Sequence, residues 1–344
     1  KDVGFYKGAQ FERSNYLDIS ISRIREGYNK KAYIRKATRL LIDFLNRLHG
    51  DEKQKLFDLL KEHYLLNEYT ATEKDVLAVY KECKDLYEQK RLKSKMNRYV
   101  DFNQGLDARL MTDQKMKRLS EIAIHPLRIA FDNWKLRETY EKAIRLAAKH
   151  KIRHLSNYIL YNFEDKPEEL YHRLRINVDL SDELGVRIYS FPMKYHPIMD
   201  PKYFQNREYI GTHWNRKYIR AIQAVLNSTK GKIGTGKSFF NKAFGENEQE
   251  FRKILYMPET FIIYRMKFEE AGWTDRWWND YCNLTEEEKE IADKVIHSNK
   301  FDNIKDFRKQ PRIYKVLQYY TISKDFDPKI LEQTFIEEKE LVKV

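Results

Sequence analysis

Cysteine is scarce in this sequence, and its scarcity limits the chemistry that the chain can support. The 344 residues include two cysteines, Cys83 and Cys282, which lie far apart. Disulfide frameworks, cysteine-based zinc sites and iron–sulfur sites all need several cysteines at defined spacing. The sequence therefore excludes these features for its own residues. The same scarcity is typical of a reducing compartment, so we expect a cytoplasmic protein.

Long apolar runs are also missing. No stretch is long enough to cross a bilayer as a helix, and no signal peptide precedes the first charged segments. We therefore expect a protein without a membrane partner.

Negative charge is in deficit. The chain has 65 Lys and Arg against 52 Asp and Glu, a formal net charge of +13. Such a surplus favours polyanionic partners, so RNA or DNA is a candidate partner. The alternative is that the basic side chains solvate helix faces.

The chain length exceeds that of a usual single domain and predicts a main domain with an insertion or extension.

The central stretch, residues 98–197, has the most regular pattern. Its short apolar runs are separated by segments with helical periodicity, for instance residues 138–149. This alternation of predicted strands and helices indicates consecutive βαβ units with a parallel sheet. Four short apolar runs recur there at intervals of about 30 residues: RYVDFNQGLDARLM, LRIAFDN, NYILYNFED and VRIYSFPMKYHP.

Polar residues end each predicted strand. In parallel α/β sheets ligands bind beyond the carboxyl ends of the strands, so we expect the functional site there. The residues concerned are Asn103, Gln104, Asp132, Asn133, Asn162, Glu164 and Ser190.

The flanking regions have helical patterns. Residues 14–96 predict an all-helical insertion after a short lead-in of residues 1–13, with a periodic run up to Gly50 and a capping box at Thr70 and Glu73. Residues 201–344 predict a mainly helical region with a capping box at Thr285 and Glu288. The aromatic cluster ahead of it, which could stack bases, is interpreted as core: Trp273, Trp277, Trp278 and Tyr281.

Residues 231–238, GKIGTGKS, match the phosphate-binding P-loop pattern. A true P-loop follows a buried strand, whereas this match follows a predicted helix end and a polar turn. We interpret it as a glycine-rich linker, and P-loop nucleotide binding remains the weakest functional hypothesis.

The central residues VDFNQGLDARL at 100–110, LRIAFD at 127–132, YILYNFED at 158–165 and IYSFPM at 188–193 together resemble the second half of a radical S-adenosylmethionine (radical SAM) enzyme. The resemblance implies an α/β fold in which residues 97–200 form strands three to six of a partial parallel (β/α) barrel. Residues 3–10 resemble the segment leading into the third strand.

The resemblance implies two cofactors, S-adenosylmethionine and a [4Fe–4S] cluster that cleaves it to a 5′-deoxyadenosyl radical. The three closely spaced cysteines that bind the cluster in that family are absent here. A missing N-terminal half would have to supply the cluster. The chain is then either a fragment of a longer enzyme or one half of a split enzyme with a complementary chain.

The resemblance also implies roles for the strand-end residues. Asp132 and Asn133 would contact the ribose hydroxyls. Asn103, Gln104 and Arg109 would face the cofactor carboxylate or the substrate. Asn162 and Ser190 would line the adenine end, with Phe163 and Phe191 beside them.

Each role has a structural alternative. Asp107 and Arg109 could pair with each other or cap a helix that starts near Thr112, and Asn162 could be a turn residue. The second functional hypothesis is a basic nucleic-acid-binding module on a degenerate barrel scaffold. No catalytic residue and no metal ligand is assigned.

Overall fold

The computed structural model describes residues 10–203, 205, 207–323 and 325. The chain divides into two compact units, residues 1–98 and residues 99–344, which are described separately. Most of the predicted lead-in, residues 1–9, lies outside the described part of the chain.

Over its described residues, the first unit consists of four helices: α1 (Tyr16–Arg25), α2 (Lys30–Leu45), α3 (Gly50–Glu62) and α4 (Glu73–Lys90). Two short strands flank them, β1 (Gln10–Phe11) and β2 (Met96–Asn97), which pair antiparallel. The helices bury one apolar cluster that includes Leu41, Phe44, Leu60, Val76 and Val79. The four helices thus lie between two strands that pair with each other.

Two local predictions for this unit are wrong in detail. The periodic run up to Gly50 is two helices, because Gly27 and Asn29 have positive φ angles of 76° and 40° and turn the chain between α1 and α2. Helix α4 begins after Thr72, whose hydroxyl accepts the Asp75 amide, and not at Thr70. The aliphatic periodicity continues through the turn and hides it in the sequence.

The second unit contains a parallel sheet and eleven helices in its described part. The strands are β3 (Leu127–Arg128), β4 (His154–Tyr161) and β5 (Arg187–Lys194). The helices are α5 (Asp113–Glu121), α6 (Arg137–Lys149), α7 (Pro167–Leu184), α8 (Arg216–Ser228), α9 (Lys237–Phe244), α10 (Glu248–Tyr256), α11 (Glu259–Ile263), α12 (Arg265–Glu270), α13 (Trp273–Cys282), α14 (Glu286–Ser298) and α15 (Pro311–Gln318).

The sheet has the order β3–β4–β5, and both pairs are parallel. Helices α6 and α7 are the crossovers, so the predicted α/β organisation with a parallel sheet is confirmed. Single bridges extend the sheet, with Val100 and Leu106 parallel to Ile124 and Ile129 at the β3 edge. Over the described residues the strands form an open sheet and do not close into a barrel.

The P-loop match lies at the other edge of the sheet. Ile233 forms an antiparallel bridge to Ser190 of β5, and the preceding element is helix α8. A P-loop requires a parallel strand that runs directly into the loop. The glycine-rich segment is therefore a linker between α8 and α9, and it also pairs with the β5 edge of the sheet, which the sequence did not predict.

The C-terminal helices agree with two further predictions. Thr285 and Glu288 form the expected capping box at the start of α14. Trp273 and Trp277 are buried, which confirms their interpretation as core. Among the helices that the structure describes, none is both long and apolar enough to traverse a bilayer.

Candidate functional site

The two faces of the parallel sheet differ in what covers them. Side chains of β4 alternate, so that Leu155, Asn157 and Ile159 lie under α6 and α7, on what we call the covered face. The side chains on the opposite face range from buried Ser156 to exposed Met193, and we call this face the open face. Its side chains are Arg128, Ser156, Tyr158, Tyr189, Phe191 and Met193.

Arg128 is the central polar group of the open face. Its Nε and Nη2 donate to the two carboxylate oxygens of Asp101 at 2.8 and 2.9 Å, and its Nη1 donates to Ser156 Oγ at 3.2 Å. Bidentate geometry of this kind fixes the guanidinium plane. Two of its five N–H donors are left without a bond among the described residues.

Aromatic rings surround the Arg128 guanidinium. Its carbon lies 5.5 Å from the ring centroid of Tyr158 and 5.8 Å from that of Phe191, within the range of cation–π attraction. The two rings are 6.0 Å apart. The Tyr158 hydroxyl donates to Asn103 Oδ1 at 3.4 Å. The open face therefore combines a fixed cation with two half-exposed rings.

Electrostatics favours a charged Asp101. Its hydrogen bond from Arg128 lowers the pKa of this carboxyl below its usual value, with partial burial acting in the other direction. At the start of β4, burial lowers the pKa of His154, and the nearby His125 and Arg187 add to the effect. The site thus holds an ionised Asp101–Arg128 pair at neutral pH.

The carboxyl ends of β3 and β4 are tied together by Arg173 of α7. This buried guanidinium donates to the carbonyl oxygens of Phe131, Asp132 and Leu160 at 3.3, 2.8 and 2.8 Å. It also donates to the Asp165 carboxylate at 3.0 Å. Burial raises the pKa of Asp165, which Arg173 opposes. Arg173 therefore fixes the strand ends where a ligand was expected.

Asp132 and Asn133 lie at this end of the sheet, as their position after β3 predicts. Asp132 is exposed at the surface, but protein atoms crowd its carboxyl group. The resulting loss of solvation raises the pKa of this carboxyl. Arg173 and the Leu160 amide act in the opposite direction. The Asn133 side chain caps a helical turn by accepting the Lys135 amide at 2.9 Å. Asp132 is thus the better placed of the two for a diol.

Asn162 and Ser190 are engaged inside the protein. Asn162 is buried with a φ of 70°, donates to the carbonyls of Tyr195 and Tyr209, and accepts the Gly211 amide. This is the turn role that was the alternative for it. Ser190 lies on the covered face, where its hydroxyl accepts from Asn177 at 2.9 Å.

The FNQGLDARL run makes a turn between the two bridges at the β3 edge. Gly105 has a φ of 76°, and a Cβ there would lie 3.6 Å from the Ala130 nitrogen. Gln104 is exposed. Arg109 pairs with the Asp107 carboxylate, with Nη2 at 2.7 Å, which is its alternative role. Of the predicted set, Asn103 alone contacts the open face directly in the bonds described above.

The chain offers no cluster ligands within its described part. No group of three or more His, Cys, Asp or Glu side chains is arranged to hold a metal ion among these residues. Cys83 is buried in the first unit, and Cys282 is exposed on α13 of the second. Burial raises the pKa of Cys83 to about 12, so this thiol is no thiolate donor at neutral pH.

Arg128, Asp101 and Tyr158 were missed from the sequence. The alternation of side chains along a strand could have identified Arg128. Its neighbours Leu127 and Ile129 are buried, so Arg128 must face away from the helices. The same parity separates Phe191 from Ser190. The sequence prediction took residues at the strand ends only, and these side chains lie along the face of the sheet.

Comparisons with known proteins add no assignment. No family model, no curated protein and no solved structure matches this chain. Its functional interpretation therefore depends on its own residues and their geometry.

Proposed function

We propose that this chain is the C-terminal portion of a radical SAM enzyme and that its open face binds S-adenosylmethionine. The observation that carries the proposal is the Arg128 guanidinium, held by Asp101 and lying against the rings of Tyr158 and Phe191. In a partial barrel the face away from the helices is the interior, where cofactor and substrate meet. The parallel βαβ units and the FNQGLDARL turn support the same proposal.

The residues present fit the chemical groups of S-adenosylmethionine. Adenine has a flat face that stacks on aromatic rings, and Tyr158 and Phe191 offer two. A carboxylate can accept the two N–H donors of Arg128 that remain without a bond in the described chain. The Asp132 carboxylate at the end of β3 can accept hydrogen bonds from a ribose diol.

The [4Fe–4S] cluster does not fit this chain. Two remote cysteines in different units cannot provide the thiolates that a cluster requires. We propose that a separate N-terminal half or a complementary chain supplies it. The bound cofactor would supply radical chemistry, whereas Arg128, Tyr158 and Asp132 of this chain would hold and orient it.

Ligand-observed NMR tests the proposal, since saturation transfer detects millimolar binding without a cluster. We expect S-adenosylmethionine and 5′-deoxyadenosine to receive saturation from the wild-type chain. We expect Tyr158→Ala to weaken binding about 5- to 50-fold, because one stacking ring is lost. The proposal fails if neither compound receives saturation.

Tyr264→Ala is the matched control. Tyr264 is an exposed tyrosine of the same unit that lies outside the open face. Its removal should leave binding unchanged, and thermal unfolding should show that both variants are folded. Equal losses in the two variants would contradict a site on the open face.

A further inference from the structure

The first unit carries a concentrated positive charge on its first two helices. Residues 16–45 contain seven Lys and Arg against three Asp and Glu, so they hold +4 of the net charge of +13 in less than a tenth of the chain. All seven lie between Arg23 and Arg39, around the turn that joins α1 to α2. This surface belongs to the first unit, whereas the open face belongs to the second.

Cations and tyrosine rings contact one another in a row along this helix pair. Arg23 lies over the Tyr28 ring at 5.4 Å, and the Tyr28 and Tyr33 rings are 6.1 Å apart. The Lys36 ammonium lies 5.7 Å from the Tyr33 ring and 5.4 Å from the Tyr16 ring. These five residues form one continuous series, which we call the tyrosine–cation ladder.

Nearby carboxylates neutralise the ladder incompletely. Glu26 pairs with Arg23 at 2.9 Å, and Asp18 is engaged by the Tyr80 hydroxyl. Lys36 has no carboxylate within salt-bridge distance in the described part of the chain, and the same holds for Lys31. The ladder therefore keeps an uncompensated charge next to exposed rings.

We propose that the tyrosine–cation ladder binds single-stranded nucleic acid. Lysine and arginine attract the phosphates, and tyrosine faces stack on unpaired bases, so a single strand satisfies both kinds of group. A duplex keeps its bases stacked inside and would use the cations alone. Tyr28, with 60% of its surface exposed, is the ring best placed to accept a base.

Fluorescence anisotropy of a labelled 20-nucleotide oligouridylate with the full chain tests the proposal. We expect Tyr28→Ala to weaken binding at least fivefold at constant salt, because a stacked base is lost. We expect Lys36→Gln to reduce the slope of log affinity against log salt by about 0.7, the value for one phosphate of a single strand. The matching duplex should bind more weakly than the single strand.

Tyr64→Ala and Lys55→Gln are the matched controls. Tyr64 belongs to the same unit and is 77% exposed, yet it lines a cavity with Asp58, Glu62 and Asp75. Lys55 is an exposed lysine of α3. Both controls should bind as the wild type does.

Three results would overturn the proposal. The first is equal loss in Tyr28→Ala and Tyr64→Ala, and the second is duplex binding at least as tight as single-strand binding. The third is binding to phosphatidylserine vesicles that Tyr28→Ala weakens while oligouridylate is not bound. None of these results depends on S-adenosylmethionine, so failure here and failure at the open face are distinguishable.

Discussion

The covered and open faces of the parallel sheet both carry polar side chains, but in opposite circumstances. On the covered face, Asn157 donates to the Tyr140 hydroxyl, which donates to Asn177, which in turn donates to Ser190. All four side chains are buried. On the open face, Arg128 and Tyr158 are partly exposed and retain free bonding capacity.

The difference shows how polar residues in one sheet divide between folding and binding. Buried polar groups that bond each other stabilise one packing arrangement, because an unmade bond there is costly. Half-exposed groups lose little when a bond is missing, since water replaces it. Substitutions on the covered side should therefore change stability, and those on the open face should change ligand affinity.

Arg173→Met should give the largest effect. It removes the guanidinium that bonds three strand-end carbonyls and leaves the Asp165 carboxyl buried without its partner. We expect a loss of about 3–5 kcal/mol in the free energy of unfolding, measured by urea denaturation.

Arg145→Met is the control for this prediction. Arg145 pairs with Glu183 on the exposed surface of α6, where an ion pair contributes below about 1 kcal/mol. A loss from Arg173→Met no greater than that of the control would contradict the role of Arg173 as a tie between strands.

Lys217→Met should raise the free energy of unfolding. Lys217 of α8 is fully buried, its Nζ has no hydrogen-bond partner in the described structure, and burial lowers its pKa to about 7. An unfolded lysine titrates near 10.4. Between these values the unfolded state binds the extra proton, so wild-type stability rises with pH.

The variant should be more stable at pH 7 by about 2–4 kcal/mol, and this difference should shrink by about 2 kcal/mol by pH 9. Urea denaturation at both pH values measures it. Lys142→Met, at an exposed lysine of α6, should show neither effect. A pH-independent difference would mean that Lys217 titrates normally in the folded protein.

Tyr140→Phe and Tyr158→Phe compare the two faces directly. The first leaves the Asn157 amide and the Asn177 carbonyl without a partner, which should cost about 1–3 kcal/mol of stability. The second removes a 3.4 Å bond to Asn103 and should cost below about 0.5 kcal/mol. Similar losses in urea denaturation would remove the distinction between the faces.

Much of the fold could be predicted because its signals are local. Alternating apolar and helical segments indicated the parallel sheet, and a polar pair at Thr285 and Glu288 indicated a helix start. The break between α1 and α2 was not predictable from aliphatic spacing alone, because it depends on positive φ angles at Gly27 and Asn29. Local spacing cannot distinguish a continued helix from a tight turn that preserves its apolar side.

The candidate site was less predictable because it depends on contacts between distant residues. Strand-end position led to Asp132 and Asn162 alike, although the bonds that occupy Asn162 come from residues 33 to 49 positions away. The alternation of side chains along β3 and β4 shows which face of the sheet carries Arg128 and Tyr158. The pairing of Arg128 with Asp101, 27 residues earlier, requires the folded sheet.

The strand pair β1–β2 brings Phe11 and Met96 into direct register. The residues on either side of this segment therefore lie only one interstrand spacing apart, about 5 Å, whether or not the helices between them are present. A segment with adjacent ends can be gained or lost in a single genetic event without stretching its host. The ends of the four-helix segment thus meet the geometric requirement for an inserted segment.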